Sequence, residues 1–311
     1  MTPTSGRDAA RFFGIGTLRA VVYRGMGALL IVVAAVTWGT TGATMKLVAA
    51  GSPLSPLIVG FLRVAIAAPC LWLIARWLEG PVQVGSRRDW TRLLVAGVAM
   101  GLYQPLYFWG VAMTSVAVGS LIAICSAPLL ITVLAALFLG ERIDTRTWTA
   151  LLVGITGTAM LTLGPHGLTK LPPGFLAGVA LELGAGLCYA GYAVAVKDLI
   201  DRAPPLNTAA VTFSIAALTL LPLLFVEWPV ASARGWALLL YLGLVPTAIA
   251  YALYTNGLRT TRVTVSGVLG LLEPLTATLL GVLFFGDRLG QVGVVGAALL
   301  LVAVLGLTTR R

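Results

Sequence analysis

The sequence predicts an all-α integral membrane protein with ten transmembrane helices, arranged as an inverted repeat of five plus five. Three observations support this prediction. The chain of 311 residues is 59% hydrophobic and only 10% charged, whereas soluble domains carry about 25% charged residues. Apolar segments long enough to cross a bilayer follow one another along almost its whole length. The second half of the chain also repeats the first at a fixed spacing.

Ten apolar segments account for most of the chain. A helix rises about 1.5 Å per residue, so about 20 residues cross a hydrocarbon core of roughly 30 Å. Each segment should be helical, because a backbone exposed to lipid has to satisfy its own hydrogen bonds. We predict spans at residues 27–48, 54–75, 91–112, 115–139, 146–163, 174–196, 207–226, 235–257, 263–285 and 291–308.

The repeat has an offset of 146 residues, because Trp90 corresponds to Trp236 (236 − 90 = 146). Over the 53 positions from 90 to 142, 14 residues are identical without a gap, and nine of these 14 are not leucine. Further matches pair Gly97 with Gly243, Thr114 with Thr260, Ser120 with Ser266, Pro128 with Pro274 and Arg142 with Arg288. A repeated membrane half is typical of transporters, which alternate access by moving one repeat against the other around a midplane site.

Five spans per half is an odd number, so the two halves must enter the membrane in opposite directions. The predicted organisation is a basic cytoplasmic segment at 1–26, a first five-helix repeat at 27–163, an outer linker at 164–173 and a second repeat at 174–308. The arginines before the first span resemble those of a signal peptide. The apolar run that follows them is too long for one, which favours a retained helix.

The distribution of the net charge of +10 indicates membrane topology rather than nucleic-acid binding. Sixteen lysines and arginines fall in the predicted inner segments, and only Lys170, Arg234 and Arg288 fall in the outer loops. Such an excess of positive charge on one side marks the cytoplasmic face. Both termini are therefore predicted to be cytoplasmic, in a multi-pass protein of the cell's inner (cytoplasmic) membrane.

Ionisable residues within the spans are the first candidates for function, because charge inside a membrane is costly and usually functional. Glu273 lies in the middle of the ninth span, directly before Pro274, where the first repeat has Ala127. It could bind substrate or carry a proton, or it could partner a basic side chain within the bundle. The matched prolines Pro128 and Pro274 are predicted hinges, since each would kink its helix beside a central cavity.

Three further charges are open to a structural or a functional interpretation. Glu182 shares a helical face with Ala185, Gly186 and Tyr189, which is typical of a cavity wall. Because it lies near the end of its span, its carboxylate could instead contact water or form an ion pair. The Arg63 guanidinium could clamp a carboxylate or a phosphate. The interpretation favoured for Arg63 is an ion pair between helices or a side chain that reaches the interface. The Lys46 side chain could likewise reach the interface, one turn from the outer end of the first span.

Aromatic and amide side chains supply the remaining candidates. They cluster on single helical faces and would suit a pocket that stacks on organic solutes and orients them by a few hydrogen bonds. The alternative is an aromatic belt at the interface, which explains the tryptophans near span ends better than it explains the tyrosines. The candidates are Trp38, Tyr103, Gln104, Tyr107, Ser120, Tyr189, Tyr251, Tyr254 and Asn256.

Short motifs, present in order and twice, resemble the two EamA repeats of the drug/metabolite transporter superfamily. They are Trp38-Gly39, Arg63 before an alanine-rich stretch, Thr114-Ser115, Pro128-Leu129 with Gly140-Glu141-Arg142, and Glu273-Pro274 with Gly286-Asp287-Arg288. The resemblance covers residues 27–308. It implies a secondary transporter whose cavity is formed mainly by the first, third, fourth, sixth, eighth and ninth spans, with relatives that mostly export amino acids and other small metabolites. Asp287 departs from the glutamate usual in the family.

We therefore expect a secondary transporter that exports a small polar organic metabolite, most plainly an amino acid or a related compound. The alternatives are efflux of lipophilic cations or drugs and passive facilitation by the same fold. An intramembrane transferase is disfavoured, because the one histidine, His166, lies in the linker and no catalytic constellation accompanies it. No cofactor and no metal is expected, since the three cysteines have no metal or redox spacing. Proton coupling and a homodimer stay open.

Overall fold

The computed structural model describes residues 15–81, 86–114, 116–163, 174–286 and 290–308. Side chains are described from Met26 onward, except at 116–120, 162, 163, 285 and 308. The linker at 164–173, with His166, and the greater part of the basic segment 1–26 lie outside the described residues. The structure is all-helical within the described residues, which contain no strand.

Each of the ten predicted segments is helical, and most bounds agree to within a few residues. The largest difference is at the first helix, which begins at Ile15 rather than at residue 27. The helices are α1 (Ile15–Trp38), α2 (Thr40–Ala49), α3 (Pro56–Leu78), α4 (Arg87–Met113), α5 (Val116–Leu139), α6 (Thr145–Leu163), α7 (Phe175–Ile200), α8 (Pro205–Leu220), α9 (Ala233–Gly243), α10 (Ala250–Leu258), α11 (Val263–Gly270), α12 (Leu272–Phe285) and α13 (Gln291–Thr308).

The described residues contain eight helices that are long and apolar enough to cross a membrane. Four of the eight combine successive elements, namely α1 with α2, α8 with the 3₁₀ turn Leu221–Phe225, α9 with α10, and α11 with α12. A shorter apolar helix, Gln291–Leu307, accompanies them. It packs against α6, where the backbone oxygen of Gly296 would lie 2.7 Å from a Cβ added to Gly157. The chain therefore has the helices of a multi-pass membrane protein.

Two of the helices are interrupted at the centre of the molecule. The first is interrupted at Gly39, between α1 and α2, and the ninth at Leu271, between α11 and α12. The two interruptions lie against one another, because a Cβ on Gly39 would lie 2.5 Å from the Cβ of Thr276 and 2.7 Å from the backbone oxygen of Glu273. Only glycine allows this approach of two backbones.

The two predicted hinge prolines lie in different local structures. Pro274 falls in the first turn of α12, where its missing N–H takes no hydrogen bond from the helix. Pro128 lies inside α5, which continues through it from Val116 to Leu139. The sequence match at these prolines is thus not accompanied by a matching break.

A π-helical segment, Leu244–Ile249, joins α9 to α10. Pro246 lies within it and has no N–H to continue a regular helix. The hydroxyl of Thr247 donates to the backbone oxygen of Leu242, five residues earlier, at 2.7 Å. Such π-turns occur frequently at functional sites, and this one presents Thr247 to the centre of the molecule.

Two contacts between the halves repeat one another. On α4, a Cβ at Gly97 would meet Ile215 of α8, with the Cγ2 of Ile215 at 2.6 Å. On α9, a Cβ at Gly243 would meet Ile66 of α3, with its Cγ2 at 2.5 Å. Gly97 and Gly243 are the repeat-matched glycines. Each half therefore packs its third helix onto the second helix of the other half.

Two glutamates at helix ends form a second reciprocal pair. At the end of α3, the Glu79 carboxylate accepts from the backbone N–H groups of Leu206 and Asn207, at 3.0 and 2.8 Å. After α8, the Glu227 carboxylate accepts from the backbone N–H of Ser55, at 2.9 Å. Carboxylates stabilise helix N-termini by satisfying free N–H groups. The two halves are thus joined in the same way at both ends.

We expect that Gly97→Val and Gly243→Val each destabilise the protein, because the added side chain collides with a partly buried isoleucine of the other half. Overpacking of this kind costs about 1–3 kcal/mol, and it should lower the melting temperature of the purified protein in detergent. Gly306→Ala is the matched control, since a Cβ there meets nothing within 4 Å and alanine favours a helix. Two valine variants as stable as the wild type would contradict the reciprocal packing.

Candidate functional site

A cavity lies at the centre of the helices, bounded by α1, α4, α5, α7, α11 and α12. Its volume in this conformation is about 50 Å³, which is below the roughly 300–1,000 Å³ of pockets that hold organic ligands. The cavity therefore has to widen before it can take a substrate. The wall combines large aromatic side chains with glycines and alanines that leave room. The lining residues are Trp38, Tyr103, Ala123, Ile124, Ala127, Pro128, Ile131, Tyr189, Ser266, Gly267, Gly270, Leu271 and Glu273.

The aromatic side chains form one continuous cluster around this cavity. Trp38, at the end of α1, lies with its ring centroid 5.0 Å from that of Tyr251 and 5.3 Å from that of Tyr254. Tyr189 of α7 meets Trp38 at 6.3 Å and Tyr103 at 6.1 Å. Such spacings are typical of favourable aromatic pairs. The eighth span therefore contributes Tyr251 and Tyr254 behind Trp38 rather than in the lining itself.

Glu273 supplies the carboxylate of the cavity wall. Its backbone lies at the interruption between α11 and α12, so its side chain projects into the cavity from the first turn of α12. Among the described residues, its carboxylate accepts no hydrogen bond and forms no ion pair within 4 Å. A carboxylate left in this way at a cavity surface is available to a cationic group of a ligand.

Arg63 is the opposite charge nearest to Glu273 that the electrostatic interactions identify, although it lies outside the cavity lining. Its Nε donates to the hydroxyl of Thr247 at 3.1 Å, which holds the guanidinium against the π-helical segment. The guanidinium is close enough to interact electrostatically with Glu273, Tyr103 and Tyr251. It forms no ion pair within 4 Å among the described residues. The ion pair expected for Arg63 is thus absent at contact distance, and the two charges face each other across a gap.

Two hydroxyls complete the polar part of the site. The hydroxyls of Tyr254 and Ser266 lie 3.2 Å apart, and Ser266 donates to the backbone oxygen of Val263 at 2.7 Å. Ser266 corresponds to Ser120 in the first repeat, but the side chain of Ser120 lies outside the described residues. The Nε1 of Trp38 is buried without a hydrogen-bond partner among the described residues.

Seven of the sequence-derived candidates lie outside the cavity lining, namely Arg63, Tyr251 and Tyr254, described above, and Gln104, Tyr107, Glu182 and Asn256. Gln104 is buried against α3, where its Oε1 would lie 3.1 Å from a Cβ on Gly60. Asn256 donates to the backbone oxygen of Ala252, one turn earlier in α10, at 2.9 Å. The ring of Tyr107 stacks on that of Tyr103, with the ring centroids 5.9 Å apart. Glu182 is fully buried between α7 and α4.

The candidates selected from the sequence omit Thr247 and Ser266. Ser266 carries a signal in the sequence, because it is a repeat match and lies seven residues before Glu273. Thr247 carries none, since its position depends on the π-helical segment Leu244–Ile249, which contains Pro246. Gly267 and Gly270 give the cavity its space, and a Cβ on Gly267 would approach the Cα of Pro128 at 3.3 Å.

The turn between α5 and α6 is fastened to the start of α11, one turn from the cavity. The Glu141 carboxylate accepts from the backbone N–H of Val263 at 3.0 Å and from the hydroxyl of Thr264 at 2.8 Å. Arg262 donates to the Asp144 carboxylate at 3.1 Å. Hydrogen bonds from Thr147, together with Arg262, lower the pKa of Asp144 to about 2. These contacts join the two halves of the chain at this end of the bundle.

Comparison with known proteins is consistent with this architecture. Residues 25–163 and 176–309 each match the EamA-like transporter family. A Bacillus subtilis protein named "Uncharacterized transporter YwfM" is 36% identical over 280 residues, which cover 89% of this chain and 92% of that protein. The pseudopaline exporter CntI of Pseudomonas aeruginosa is 28% identical over 283 residues, covering 91% and 95%.

Two further comparisons extend the likeness. A protein of Streptantibioticus cattleyicolor, named a probable terminal-alkyne amino-acid exporter, is 28% identical over 295 residues, covering 90% of this chain and 92% of that protein. A crystal structure superposes with a TM-score of 0.79 at 22% identity, covering 90% of this chain and 96% of the other. This structural likeness shows a shared fold.

Proposed function

Because the chain belongs to the EamA-like transporter family, and is therefore a multi-pass membrane transporter, we propose that it exports amino acids or closely related zwitterions across the cytoplasmic membrane. The family and the names of the relatives indicate a transporter rather than an enzyme. The proposed mechanism is secondary transport by alternating access, in which the two halves move against each other around the central cavity.

The observation that carries this proposal is a pair of opposite charges, with Glu273 in the wall of the aromatic cavity and Arg63 outside the lining but close enough to interact with it. Among the described residues, neither forms an ion pair within 4 Å. An amino acid carries an ammonium and a carboxylate on a single carbon, together with a side chain of variable polarity. Glu273 would accept hydrogen bonds from the ammonium, and Arg63 would bind the carboxylate through its guanidinium. The side chain would then stack on Trp38, Tyr103 and Tyr189.

The same arrangement explains why Arg63 and Glu273 do not meet. If they formed a direct ion pair, a substrate would have to break it before binding. Held apart by Thr247 on one side and by the helix interruption on the other, each charge is available to its own substrate group. Preorganised charges of this kind lower the cost of ordering the site when a ligand binds.

The ten-span topology is part of the proposal. The reciprocal contacts of Gly97 and Gly243, and those of Glu79 and Glu227, support a pseudo-two-fold axis between two five-helix repeats. The excess of positive charge in the inner segments supports cytoplasmic termini. Under this topology, the end of the bundle fastened by Glu141 and Arg262 faces the cytoplasm.

Efflux of lipophilic cations is the second candidate function. Glu273 within a cluster of aromatic rings would attract a cation through its charge and through the ring faces. Arg63 argues against it, because a guanidinium that interacts with the same carboxylate would repel a ligand bearing positive charge alone. Passive facilitation and coupled export differ only in whether a gradient drives uphill movement.

Proteoliposomes test the proposed function. With a labelled amino acid inside and a gradient imposed, we expect saturable transport that lipophilic cations do not inhibit. Accumulation against the concentration gradient would indicate coupling, and only equilibration would indicate a facilitator. Coupling to protons through Glu273 is a further hypothesis. Transport that ignores the proton gradient, with Glu273→Gln fully active, would overturn it.

A further inference from the structure

Glu182 is a buried carboxylic acid outside the substrate cavity. It lies on α7, is 0% exposed, and neither carboxyl oxygen has a hydrogen-bond partner among the described residues. Its side chain packs directly on Gly110 of α4, where an added Cβ would lie 2.6 Å from Oε1 and 2.7 Å from Cδ. It is absent from the cavity lining. The proposed substrate site therefore makes no use of it.

No charged group of the described residues compensates Glu182. Around it, α7 packs on α4 and α5 and, to a lesser extent, on α8, α10 and α11. Helices α5, α8, α10 and α11 contain no charged residue. The charges of α4 lie at its opposite end, between Arg87 and Arg92, and those of α7 are Lys197 and Asp198, about four turns from Glu182.

The other titratable side chains of these elements are neutral phenols and thiols. They are Tyr103 and Tyr107 on α4, Cys125 on α5, Cys188, Tyr189 and Tyr192 on α7, and Tyr251 and Tyr254 on α10. Among these groups, none interacts electrostatically with Glu182, whose environment is dominated by burial. An ionised carboxylate without a partner is very costly in such a setting, whereas a protonated one packs as a neutral group.

The repeat shows that packing alone does not require an acid here. In the first half, Gly27 and Ile31 of α1 lie on α10, where a Cβ on Gly257 would be 2.7 Å from the Cγ1 of Ile31. Gly178 and Glu182, on the first helix of the second half, pack in the same way on α4 of the first half, beside Thr114. The two pairs share one offset (178 − 27 = 151 and 182 − 31 = 151). Glu182 therefore occupies the place of an isoleucine.

We infer that Glu182 is a proton-binding site, separate from the substrate cavity, whose protonation maintains the contact between α4 and α7 and whose ionisation opens it. When the carboxylic acid loses its proton, the carboxylate must reach water, and it can do so only if α4 and α7 separate near Gly110 and Gly178. Under the proposed topology this contact lies at the outer end of the bundle. A proton taken up there would favour closure of that end.

The inference rests on the proposed transporter but not on its substrate, so its test uses purified protein without ligand. We would measure hydrogen–deuterium exchange of residues 103–114 and 175–186 in nanodiscs at several pH values. If Glu182 ionises only in the open form, opening should increase about tenfold per pH unit above the onset of ionisation. Glu182→Gln, which mimics the protonated acid, should remove this pH dependence.

Comparison of the two proteins at each pH cancels the intrinsic pH dependence of amide exchange. Glu182→Leu, which has the apolar character of Ile31, provides a second neutral variant should glutamine disturb folding, and it should behave like glutamine. Asp201→Asn, at an exposed position at the end of α7, is the matched control and should keep the wild-type pH dependence in these two segments. Equal pH dependence in wild type and in both neutral variants would overturn the inference.

The outcomes also separate this inference from the proposed function. If amino acids fail to bind while exchange at α4 and α7 remains pH-dependent through Glu182, the substrate proposal fails and the proton site stands. If exchange is indifferent to Glu182 while amino acids bind in the cavity, the proton site fails and the substrate proposal stands.

Discussion

Glu273→Gln is expected to lower amino-acid export about 10- to 100-fold, because the variant keeps the shape of the side chain but loses its charge. Hydrogen bonds to charged groups contribute about 1.5–3 kcal/mol, and each 1.4 kcal/mol corresponds to a factor of ten in affinity. Initial rates of transport in proteoliposomes, measured over a range of substrate concentrations, give this ratio. Asp201→Asn, at an exposed position at the end of α7, is the matched control and should transport normally.

The specificity of the variants provides a sharper test of the two assigned charges. Glu273→Gln should weaken the preference for an amino acid over its N-acetyl derivative, which lacks the ammonium. Arg63→Met should instead weaken the preference over the amide, which lacks the carboxylate. If both variants lost affinity equally for the amino acid, its N-acetyl derivative and its amide, the two charges would be maintaining the fold rather than recognising the substrate.

Gly39→Val is expected to cause the largest loss of stability of any single substitution considered, about 3 kcal/mol. The added side chain would collide with the backbone of Glu273 and with Thr276, and backbone cannot move aside as a flexible side chain can. The thermal midpoint of the purified protein should fall, and transport should be lost with it. Gly42→Ala, three residues further along and open on that side, should leave both unchanged. A fully active Gly39→Val would contradict the close approach of the two interruptions.

Much of the helical architecture could be predicted from the sequence, because hydropathy and length decide where a chain can cross a bilayer. The segments from 91–112 onward coincide with helices that differ by only a few residues at either end. Trp38, Tyr103, Tyr189 and Glu273 were also predicted, and they line one cavity. Charged side chains in the middle of a span usually face the interior of the bundle or a cavity, so their position along the span predicts where they point.

The rest depends on contacts between distant residues, which no local pattern reports. The interruption at Gly39 lies where the backbone of α12 approaches closely. The residues next to Gly39 in the sequence give no indication of that approach. Gln104 faces Gly60 rather than the cavity, since the neighbouring Tyr103 already occupies the inward face of α4. The Asn256 side chain donates a hydrogen bond to the backbone of its own helix, as short polar side chains often do.

The measurement that tests the central claim most directly is a thermal-shift comparison of three matched ligands on the purified wild-type protein. Phenylalanine, phenethylamine and N-acetylphenylalanine share one aromatic ring and differ only in the ammonium and carboxylate groups. A ligand that binds the folded state stabilises it by RT ln(1 + [L]/Kd), about 2.7 kcal/mol at 100 times Kd. We predict that the zwitterion raises the melting temperature most and that Arg63→Met and Glu273→Gln abolish this difference. If phenethylamine stabilised the protein as strongly as phenylalanine, the cavity would be a cation site and the account would be contradicted.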